Sequence, residues 1–442
     1  MEQAEIVRKV HEAGVVGAGG AGFPTGVKLE ARGIDTFIVN GAECEPLLFV
    51  DQYLMAKEAR TLVSAARTVA DALGADQAIF ALKEKYAESI AALEAAGAEV
   101  FKLGSYYPAG DEILLIQEVT GRTVPETRLP LEVNVLVNNV ETLFNIARAL
   151  DGHPVTHTLV TVGGAVSEPG IWSVPVGTKA ADLLAASGGT KLKNPVYVDG
   201  GPLMGKFHDS PDFYVGKTTK GLLVLPGESI LAQYETMPVE MMLRQARYVC
   251  MQCNQCTVVC SRHLAGYMLE PDKIMRALAF ERMIDMRVLQ GAFVCSECNL
   301  CSGLHACPMQ LSPRRVNQVL KARLRKEGVK PSFPVRPMKP MRERAFRLVP
   351  SSRLERRLGL APYHVHPPFA GEFEPAMVRV SMRQHIGAPA VPVVREGQSV
   401  EREQLLGGAK EGALSVNVHA PLDGVVRAVS EEAVEIVAST AL

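Results

Sequence analysis

The chain has 442 residues, of which 47% are hydrophobic and 21% are charged, and its net charge is −1 at pH 7. These values are ordinary for a globular protein of about three domains, and the balanced charge argues against a nucleic-acid partner. The chain contains no run of 18 apolar residues, and its N-terminus lacks the apolar region and cleavage site of a signal peptide. We therefore expect no direct membrane insertion.

The first 150 residues alternate glycine-rich turns, β-branched runs and alanine-rich segments. Apolar runs predict buried strands at residues 36–40 and 133–137, and helical periodicity covers residues 57–73 and 84–96. This alternation is typical of an α/β domain.

The glycine-rich segment GAGGAGFPTG at residues 17–26 is a candidate phosphate loop, because glycine lets backbone N–H groups approach an anion closely. An isolated glycine loop is more often a tight turn between elements. Here Lys28 follows it, NGAECEP at residues 40–46 ends one predicted strand, and NNVET at residues 138–142 ends another. Ligands of α/β proteins bind at the carboxyl ends of strands, so these segments predict one shared crevice.

Short β-runs among Gly/Pro turns follow at residues 154–226, around a single predicted helix at residues 180–186. This pattern favours a small α+β module. Residues 240–328 have a helical pattern apart from two cysteine-containing loops.

Eight of the nine cysteines fall into two tight groups. The first group has the spacing C-x2-C-x2-C-x3-C and the second C-x2-C-x2-C-x5-C, with Pro308 directly behind it. The members are Cys250, Cys253, Cys256 and Cys260 in the first group, and Cys295, Cys298, Cys301 and Cys307 in the second. Triplets at this spacing are typical of 4Fe–4S clusters.

In two-cluster ferredoxins the last cysteine of each run ligates the other cluster. We therefore expect Cys307 to complete the first triplet and Cys260 to complete the second. Zinc sites and disulfides are the alternatives, although zinc sites usually use paired C-x2-C units rather than triplets. Thiolates that bind iron must stay reduced, which favours a cytoplasmic location.

Residues 329–370 are proline-rich and predict an extended connector. From Arg314 to Arg357 there are 15 Lys/Arg against three Asp/Glu. This basic run could dock an acidic partner or an anionic substrate, but a solvated helix and linker is the preferred interpretation. Short strands predicted at residues 391–394, 414–418, 424–426 and 434–437 indicate a small β-sandwich.

Four motifs together, GAGGAGFPTGVKL, NGAECEP, YPAGDE and NNVETL, resemble the FMN-binding domain shared by the flavin subunit of respiratory complex I and by RnfC. The resemblance implies that FMN is held by these segments. The residues that it implicates are Gly19, Gly20 and Lys28 near the flavin, Asn40, Glu43 and Glu45 on the ring side, Asn138, Asn139 and Thr142 at the ribityl phosphate, and Tyr107 and Glu112 closing the pocket. Complex I carries Arg where this chain has Ala18, and Trp where it has Leu29.

The resemblance extends beyond the flavin domain. Residues 153–226 resemble the soluble-ligand-binding β-grasp (SLBB) module of the same family, and the last 65 residues resemble the barrel-sandwich domain of RnfC. The implied fold is multidomain α/β and α+β: a Rossmann-like flavin domain at 1–152, the SLBB module at 153–235, a helical two-cluster ferredoxin-like domain at 236–328, a connector at 329–375 and a barrel-sandwich hybrid at 376–442.

This domain order is similar to that of the cobalamin reductases of propanediol-utilisation microcompartments. The resemblance implies that NADH reduces FMN, that two 4Fe–4S clusters carry the electrons, and that cobalamin accepts them. It also implies a microcompartment location, with an adenosyltransferase and shell proteins as partners, and assigns no separate catalytic residue. The alternative is an RnfC-like docking and relay subunit of a membrane-bound NADH:ferredoxin-type oxidoreductase. A ferredoxin-fed flavoprotein is a third option.

Overall fold

The computed structural model describes residues 1–280, 285–334, 336 and 338–441. Residues 281–284 of the predicted helical domain, 335 and 337 of the predicted connector, and 442 of the predicted sandwich lie outside the described residues.

The first domain is built on a four-stranded parallel sheet in the order β3-β2-β1-β5. The strands of this sheet are β1 (Thr36–Asn40), β2 (Gln77–Lys83), β3 (Glu99–Leu103) and β5 (Val135–Asn139), and the short strand β4 (Tyr106–Tyr107) lies outside it. The helices of the domain are α1 (Gln3–Glu12), α2 (Thr25–Leu29), α3 (Val50–Lys57), α4 (Ala59–Leu73), α5 (Ala87–Ala95), α6 (Glu112–Thr120) and α7 (Val140–Leu150).

Strand alternation places this sheet between two helical layers. Phe37 and Val39 pack with α1, α3, α4, α5 and α7 on one face, whereas Ile38 packs with α6 on the other. The predicted strand at 133–137 starts late, at Val135, because Asn134 adopts a left-handed φ of 59° that ends a 3₁₀ turn. The predicted helix at 57–73 is interrupted at Glu58, between α3 and α4.

The second domain is a mixed sheet with the predicted helix at residues 180–186 on one face, followed by a further helix. Its elements are β6 (His157–Gly164), β7 (Gly170–Pro175), α8 (Ala180–Ala186), β8 (Pro195–Asp199), β9 (Lys206–His208), β10 (Gly221–Pro226) and α9 (Ile230–Thr236). Leu183 of α8 packs on Val160, Val162 and Leu222 of the sheet, so the helix covers one face.

The third domain consists of short helices joined by the two cysteine loops. They are α10 (Val239–Val249), α11 (Gln255–Val258), α12 (Ser261–Leu264), α13 (Pro271–Phe280), α14 (Met286–Gln290) and α15 (Pro313–Lys326). Ile274 of α13 and Leu320 of α15 share a core with Leu114 of α6, so this domain packs directly on the first one.

The segment that the sequence marks as an extended connector carries secondary structure and adds strands to other domains. It forms α16 (Arg344–Arg347), β11 (Val349–Pro350), α17 (Ser351–Arg357) and β12 (Phe369–Glu372). Strand β11 pairs with β4 of the first domain, and β12 pairs with β7, which makes it the edge of a six-stranded sheet.

The C-terminal domain is a pair of small antiparallel sheets, in the orders β13-β19-β18-β15 and β14-β16-β17. The strands are β13 (Met377–Ser381), β14 (Val391–Pro392), β15 (Ser399–Val400), β16 (Leu405–Gly408), β17 (Val418–His419), β18 (Gly424–Val429) and β19 (Ala433–Ala438). The strand prediction at 414–418 is wrong except at its last residue, because a turn with Gly412 at a φ of 70° precedes an irregular segment. None of the described helices has the length and apolarity needed to cross a bilayer.

Candidate functional site: a flavin edge and two cysteine cavities

The carboxyl edge of the parallel sheet brings the predicted flavin motifs together. Asn40 at the end of β1 and Asn139 at the end of β5 are register partners on adjacent strands. The glycine loop closes on itself through hydrogen bonds between Gly17 and Phe23 (2.9 Å) and between Gly22 and Gly17 (3.1 Å). At Gly19 an added Cβ would lie 3.4 Å from the Asn139 Cβ, so the loop runs directly over this strand end.

Several groups at this edge are suited to an anionic ligand. Gly19 and Gly20 are exposed, and Gly20 has a φ of 100°, which a residue with a side chain rarely adopts. The eleven-residue helix α7 begins directly after Asn139, so its N-terminal dipole points at the same place. The Lys28 ammonium lies 2.9 Å from Glu112 and also donates to the Val137 carbonyl.

Asn138 supplies the clearest indication of a missing partner. Its side chain is 4% exposed, and its amide Nδ2 is buried without a hydrogen-bond partner. A buried donor of this kind costs about 1–3 kcal/mol if it stays unpaired. Neighbouring Thr142 is satisfied, since its hydroxyl accepts from the Ala18 amide at 2.9 Å. The donors at this edge therefore fit the phosphate and polar chain of a flavin nucleotide.

Two carboxylates predicted on the ring side are engaged by other parts of the protein. Glu43 accepts hydrogen bonds from the backbone of Asp51 (2.8 Å) and Gln52 (3.2 Å), at the N-terminus of α3. Burial, with Asp51 nearby, raises the pKa of Glu43 to about 7. Glu43 therefore caps the N-terminus of α3 from a buried position.

Glu45 ties the flavin domain to the second domain. Its carboxylate accepts from the Leu203 backbone at 2.8 Å and from the Tyr107 hydroxyl at 3.2 Å. Gly201 approaches so closely that an added Cβ would clash with Glu45. Burial raises the pKa of the Glu45 carboxyl and that of the Tyr107 hydroxyl. Asn40, also predicted on the ring side, donates to the Gly110 carbonyl at 2.9 Å.

A buried charge cluster lies beside Asn139, and the sequence does not predict it. Lys220 of the second domain contacts the Asp51 carboxylate, lies 3.6 Å from Glu141 and donates to the Asn139 side chain at 3.0 Å. Burial raises the pKa of Glu141, although the Lys220 charge opposes this shift. Glu141 lies inside the NNVET motif, but nothing in the spacing links it to a lysine from another domain.

The cysteines line two separate cavities, four to each. The first cysteine cavity is lined by Cys250, Cys253, Cys256 and Cys307, and the second by Cys260, Cys295, Cys298 and Cys301. Each cavity thus takes three cysteines from one run and the trailing cysteine from the other. This grouping supports the predicted exchange of fourth ligands between two cubane clusters.

The two loops also share their backbone conformation. Gln252 and Asn254 in the first loop have φ values of 54° and 53°, and Glu297 and Asn299, at the same places in the second, have 63° and 69°. Left-handed residues turn successive N–H groups toward one side, which makes a concave site for an anion. Such a concave backbone fits the negatively charged thiolates and sulfides of a cluster.

Hydrogen bonds to sulfur and burial both affect the pKa values of the cysteine thiols. The Glu297 amide donates to Cys295 at 3.4 Å, and the Leu311 amide donates to Cys307 at 3.4 Å. Burial raises the pKa of Cys256 to about 12 and that of Cys298 to about 11. Thiolates at these positions therefore need a strong positive charge beside them, which iron would supply.

The second cysteine cavity lies against the flavin edge. Arg262, which lines this cavity, forms an ion pair at 2.8 Å with Asp111, the N-cap of α6. Tyr107 and Cys44 of the flavin domain share an apolar cluster with Cys298 and Leu300. Through these contacts the second cavity packs on the flavin edge, whereas Cys250 and Cys307 of the first cavity share an apolar cluster with Ile113 and Leu114 of α6.

Comparison with protein families agrees with this architecture. The Nuo51 FMN-binding domain matches residues 10–148, the SLBB domain 159–207, the 4Fe–4S dicluster domain 249–312 and the RnfC barrel sandwich hybrid domain 369–441. The predicted fold class is confirmed. Together, the FMN-binding and dicluster domains make the chain a flavin and iron–sulfur electron-transfer protein.

Sequence similarity to individual proteins identifies the family of the chain more closely. The chain is 44% identical over 439 residues to cobalamin reductase PduS of Salmonella typhimurium strain LT2, covering 98% of this chain and 96% of that protein. It is 34% identical over 279 residues to one subunit of the ion-translocating oxidoreductase complex of Erwinia tasmaniensis, covering 61% of this chain and 33% of that protein. The chain belongs to the PduS cobalamin reductase family.

A solved structure shows the same kind of fold. A chain of an NAD⁺-reducing [NiFe]-hydrogenase in the H₂-reduced state aligns with a TM-score of 0.50 at 23% identity. The alignment covers 76% of this chain and 64% of that one, so it supports the fold alone.

Proposed function

We propose that this protein takes electrons from NADH, passes them through FMN and two 4Fe–4S clusters, and delivers them singly to cobalamin. The observation that carries the proposal is the division of eight cysteines into two cavities, one of them packed on a flavin-type edge. When bound, flavin converts a two-electron donor into one-electron steps, and clusters accept electrons one at a time. Near end-to-end similarity to a cobalamin reductase indicates the acceptor.

In this proposal, the residues at the flavin edge orient and hold the cofactor. Gly19, Gly20 and the start of α7 bind the phosphate, with the Asn138 amide donating to it, and Lys28 supplies positive charge. Ala18 and Leu29 are core residues, 0% and 1% exposed, so these two positions offer apolar packing rather than polar contacts to a nicotinamide nucleotide.

The positions of the cavities suggest the direction of flow. Electrons enter the second cysteine cavity, which shares the apolar cluster of Tyr107 and Cys298 with the flavin edge. The electrons continue to the first cavity, because Cys301 of the second cavity lies close enough to Cys256 of the first cavity for the two thiols to interact electrostatically. The first cavity is therefore the exit.

The family relationship also suggests the setting of the reaction. Reduced cobalamin would pass to an adenosyltransferase, and shell proteins of a propanediol-utilisation microcompartment would surround the enzyme in the cytoplasm. The last domain and the connector are the parts of the chain available to such partners.

An RnfC-like relay subunit is the second candidate. The relative from the ion-translocating complex matches only 61% of this chain, whereas the cobalamin reductase matches 98%, so the comparison favours the reductase.

An anaerobic titration tests the proposal. Protein reconstituted with FMN, iron and sulfide is titrated with NADH and then with cob(III)alamin while the absorbance is recorded. We expect NADH to bleach the flavin and cluster bands, and cobalamin to restore them with one cobalt reduced per electron. If a reduced ferredoxin bleaches the flavin and NADH does not, ferredoxin and not NADH is the electron donor. If the protein turns over only when membrane subunits are added, the result favours the RnfC-like relay subunit.

A further inference from the structure

A pocket beside the first cysteine cavity takes no part in the electron path described above. It lies between the third domain and the connector, and its wall includes Val259, His305, Phe346, Arg347, Leu348 and Arg353. We call it the arginine pocket. Gln255 and Ala306 also line it, and they directly precede Cys256 and Cys307 of the first cavity. The pocket and the first cavity therefore share a wall.

The charge of the arginine pocket is unbalanced. Within the described residues, neither Arg347 nor Arg353 has a carboxylate at ion-pair distance. On α17, Arg357 follows Arg353 by one helical turn on the same face. A second depression, between the second domain and α15, differs, because its Glu235 pairs with both Arg314 and Arg315.

The wall of the arginine pocket also includes exposed apolar side chains. Phe346 is 88% exposed, and Leu348 beside it is 37% exposed. His305 adds a polar group, whose Nδ1 is buried with no hydrogen-bond partner. Guanidinium groups bind phosphate oxygens in a two-pronged geometry, and an exposed aromatic ring packs well on a flat ligand. The wall thus suits a large amphipathic molecule that carries a phosphate group.

The geometry points to the arginine pocket as the docking site where cobalamin receives electrons from the first cluster. This inference rests on the proposed function, and cobalamin combines a flat macrocycle with one phosphodiester. Arg347 and Arg353 would bind the phosphodiester, and Phe346 would pack on the macrocycle. Each transfer oxidises the cluster by one electron and reduces cobalt by one, with no bond formed to the protein.

Direct binding tests the site without relying on turnover. Reconstituted protein is dialysed to equilibrium against cob(III)alamin, and the dissociation constant is compared with that of the double variant R347Q/R353Q. We expect R347Q/R353Q to bind cob(III)alamin at least about tenfold more weakly than wild-type protein, because it loses a charge-assisted hydrogen bond. Iron content, FMN content and bleaching by NADH should stay at wild-type values, since both arginines are exposed.

The matched control is R356Q. Arg356 lies on the same helix, is exposed and donates to the Ser352 carbonyl instead of lining the pocket. Cobinamide, which lacks the phosphodiester, is the matched ligand: wild-type protein should bind it more weakly than cobalamin, and R347Q/R353Q should bind the two alike. A second variant, F346A, should weaken both ligands.

Two results would overturn the inference: wild-type binding by R347Q/R353Q, or an equal loss in R356Q, which would reveal a general charge effect. Failure of the proposed function has a different signature. In that case wild-type protein would neither bind nor reduce cobalamin, whereas a wrong pocket leaves reduction by R347Q/R353Q at the wild-type level.

Discussion

At the residue scale, neighbouring asparagines at the end of β5 have different roles. Asn139 is fully engaged, because its side chain accepts from the Glu141 amide and from Lys220 and donates to Asp51. Asn138 keeps a buried amide without a partner. The same residue type, one position apart, therefore stabilises the domain contact in one case and is available to a ligand in the other.

Asn138→Ala should reduce FMN content without destabilising the fold. The amide that it removes has no partner in the protein, so we expect FMN affinity to fall about tenfold while the melting temperature of flavin-free protein does not fall. Flavin fluorescence after acid release measures the content. Asn139→Ala is the control: loss of the α7 cap should lower the stability of the flavin-free protein by about 1 kcal/mol. Full FMN retention in Asn138→Ala would contradict the assignment.

At the element scale, the two cysteine loops have the same backbone arrangement. Each places left-handed residues at the same two positions between its cysteines, and each sends its trailing cysteine to the other cavity. The x5 spacing before Cys307 does not disturb this arrangement, since Cys307 lies with the first three cysteines despite the longer connection.

Paired cysteine substitutions separate the proposed wiring from its alternative. In C253A/C307A both changes fall in one cavity, so we expect half of the iron to remain. In C253A/C260A each cavity loses one ligand, and we expect almost no iron. FMN content should be the same in both variants, which controls for folding. Iron and sulfide analysis after anaerobic purification gives the answer, and the reverse pattern, with half of the iron kept in C253A/C260A and almost none in C253A/C307A, would show that each run binds its own cluster.

The connector is the element whose role differs most from the sequence interpretation. Its proline content and charge indicate an exposed linker, but Val349 pairs with Tyr107 beside the flavin edge, and Phe369 stacks on Tyr53 at 5.1 Å. Short strands of two to four residues carry too little periodicity to be recognised locally. Tertiary partners determine them.

At the scale of the whole molecule, three domains meet at one buried lysine. Lys217 of the second domain donates to the Gly14 carbonyl of the first at 2.6 Å and to the Asn417 carbonyl of the last at 3.1 Å. At Gly14, with a φ of 67°, an added Cβ would overlap the Asn417 oxygen. The first and last domains are thus held together through a side chain of the second domain.

This junction should make stability depend on pH. Burial lowers the pKa of Lys217 from 10.5 to about 7, so above pH 7 the unfolded chain binds the proton more tightly than the folded one. The stability of wild-type protein should therefore rise relative to that of Lys217→Met between pH 7 and 10. Burial lowers the pKa of His419 to about 3 and also lowers that of His385, so neither histidine titrates in this window.

Thermal unfolding at intervals from pH 6 to 10 measures this difference. Lys191→Met removes an exposed lysine of the same domain and should follow the wild-type curve at every pH. Parallel curves for wild-type protein and Lys217→Met would mean that Lys217 does not carry the dependence.

The amino-acid sequence by itself determined the chemistry and the local elements. Cysteine spacing and the glycine and asparagine motifs can be recognised because cluster loops and strand ends bring their residues together over short stretches of chain. Only the tertiary structure decided which residues meet across domains. Lys220 reaches Asp51 over 169 positions, Glu43 contacts a helix end, and Glu45 contacts a neighbouring domain. Such contacts depend on how whole domains pack, a property that no local spacing encodes.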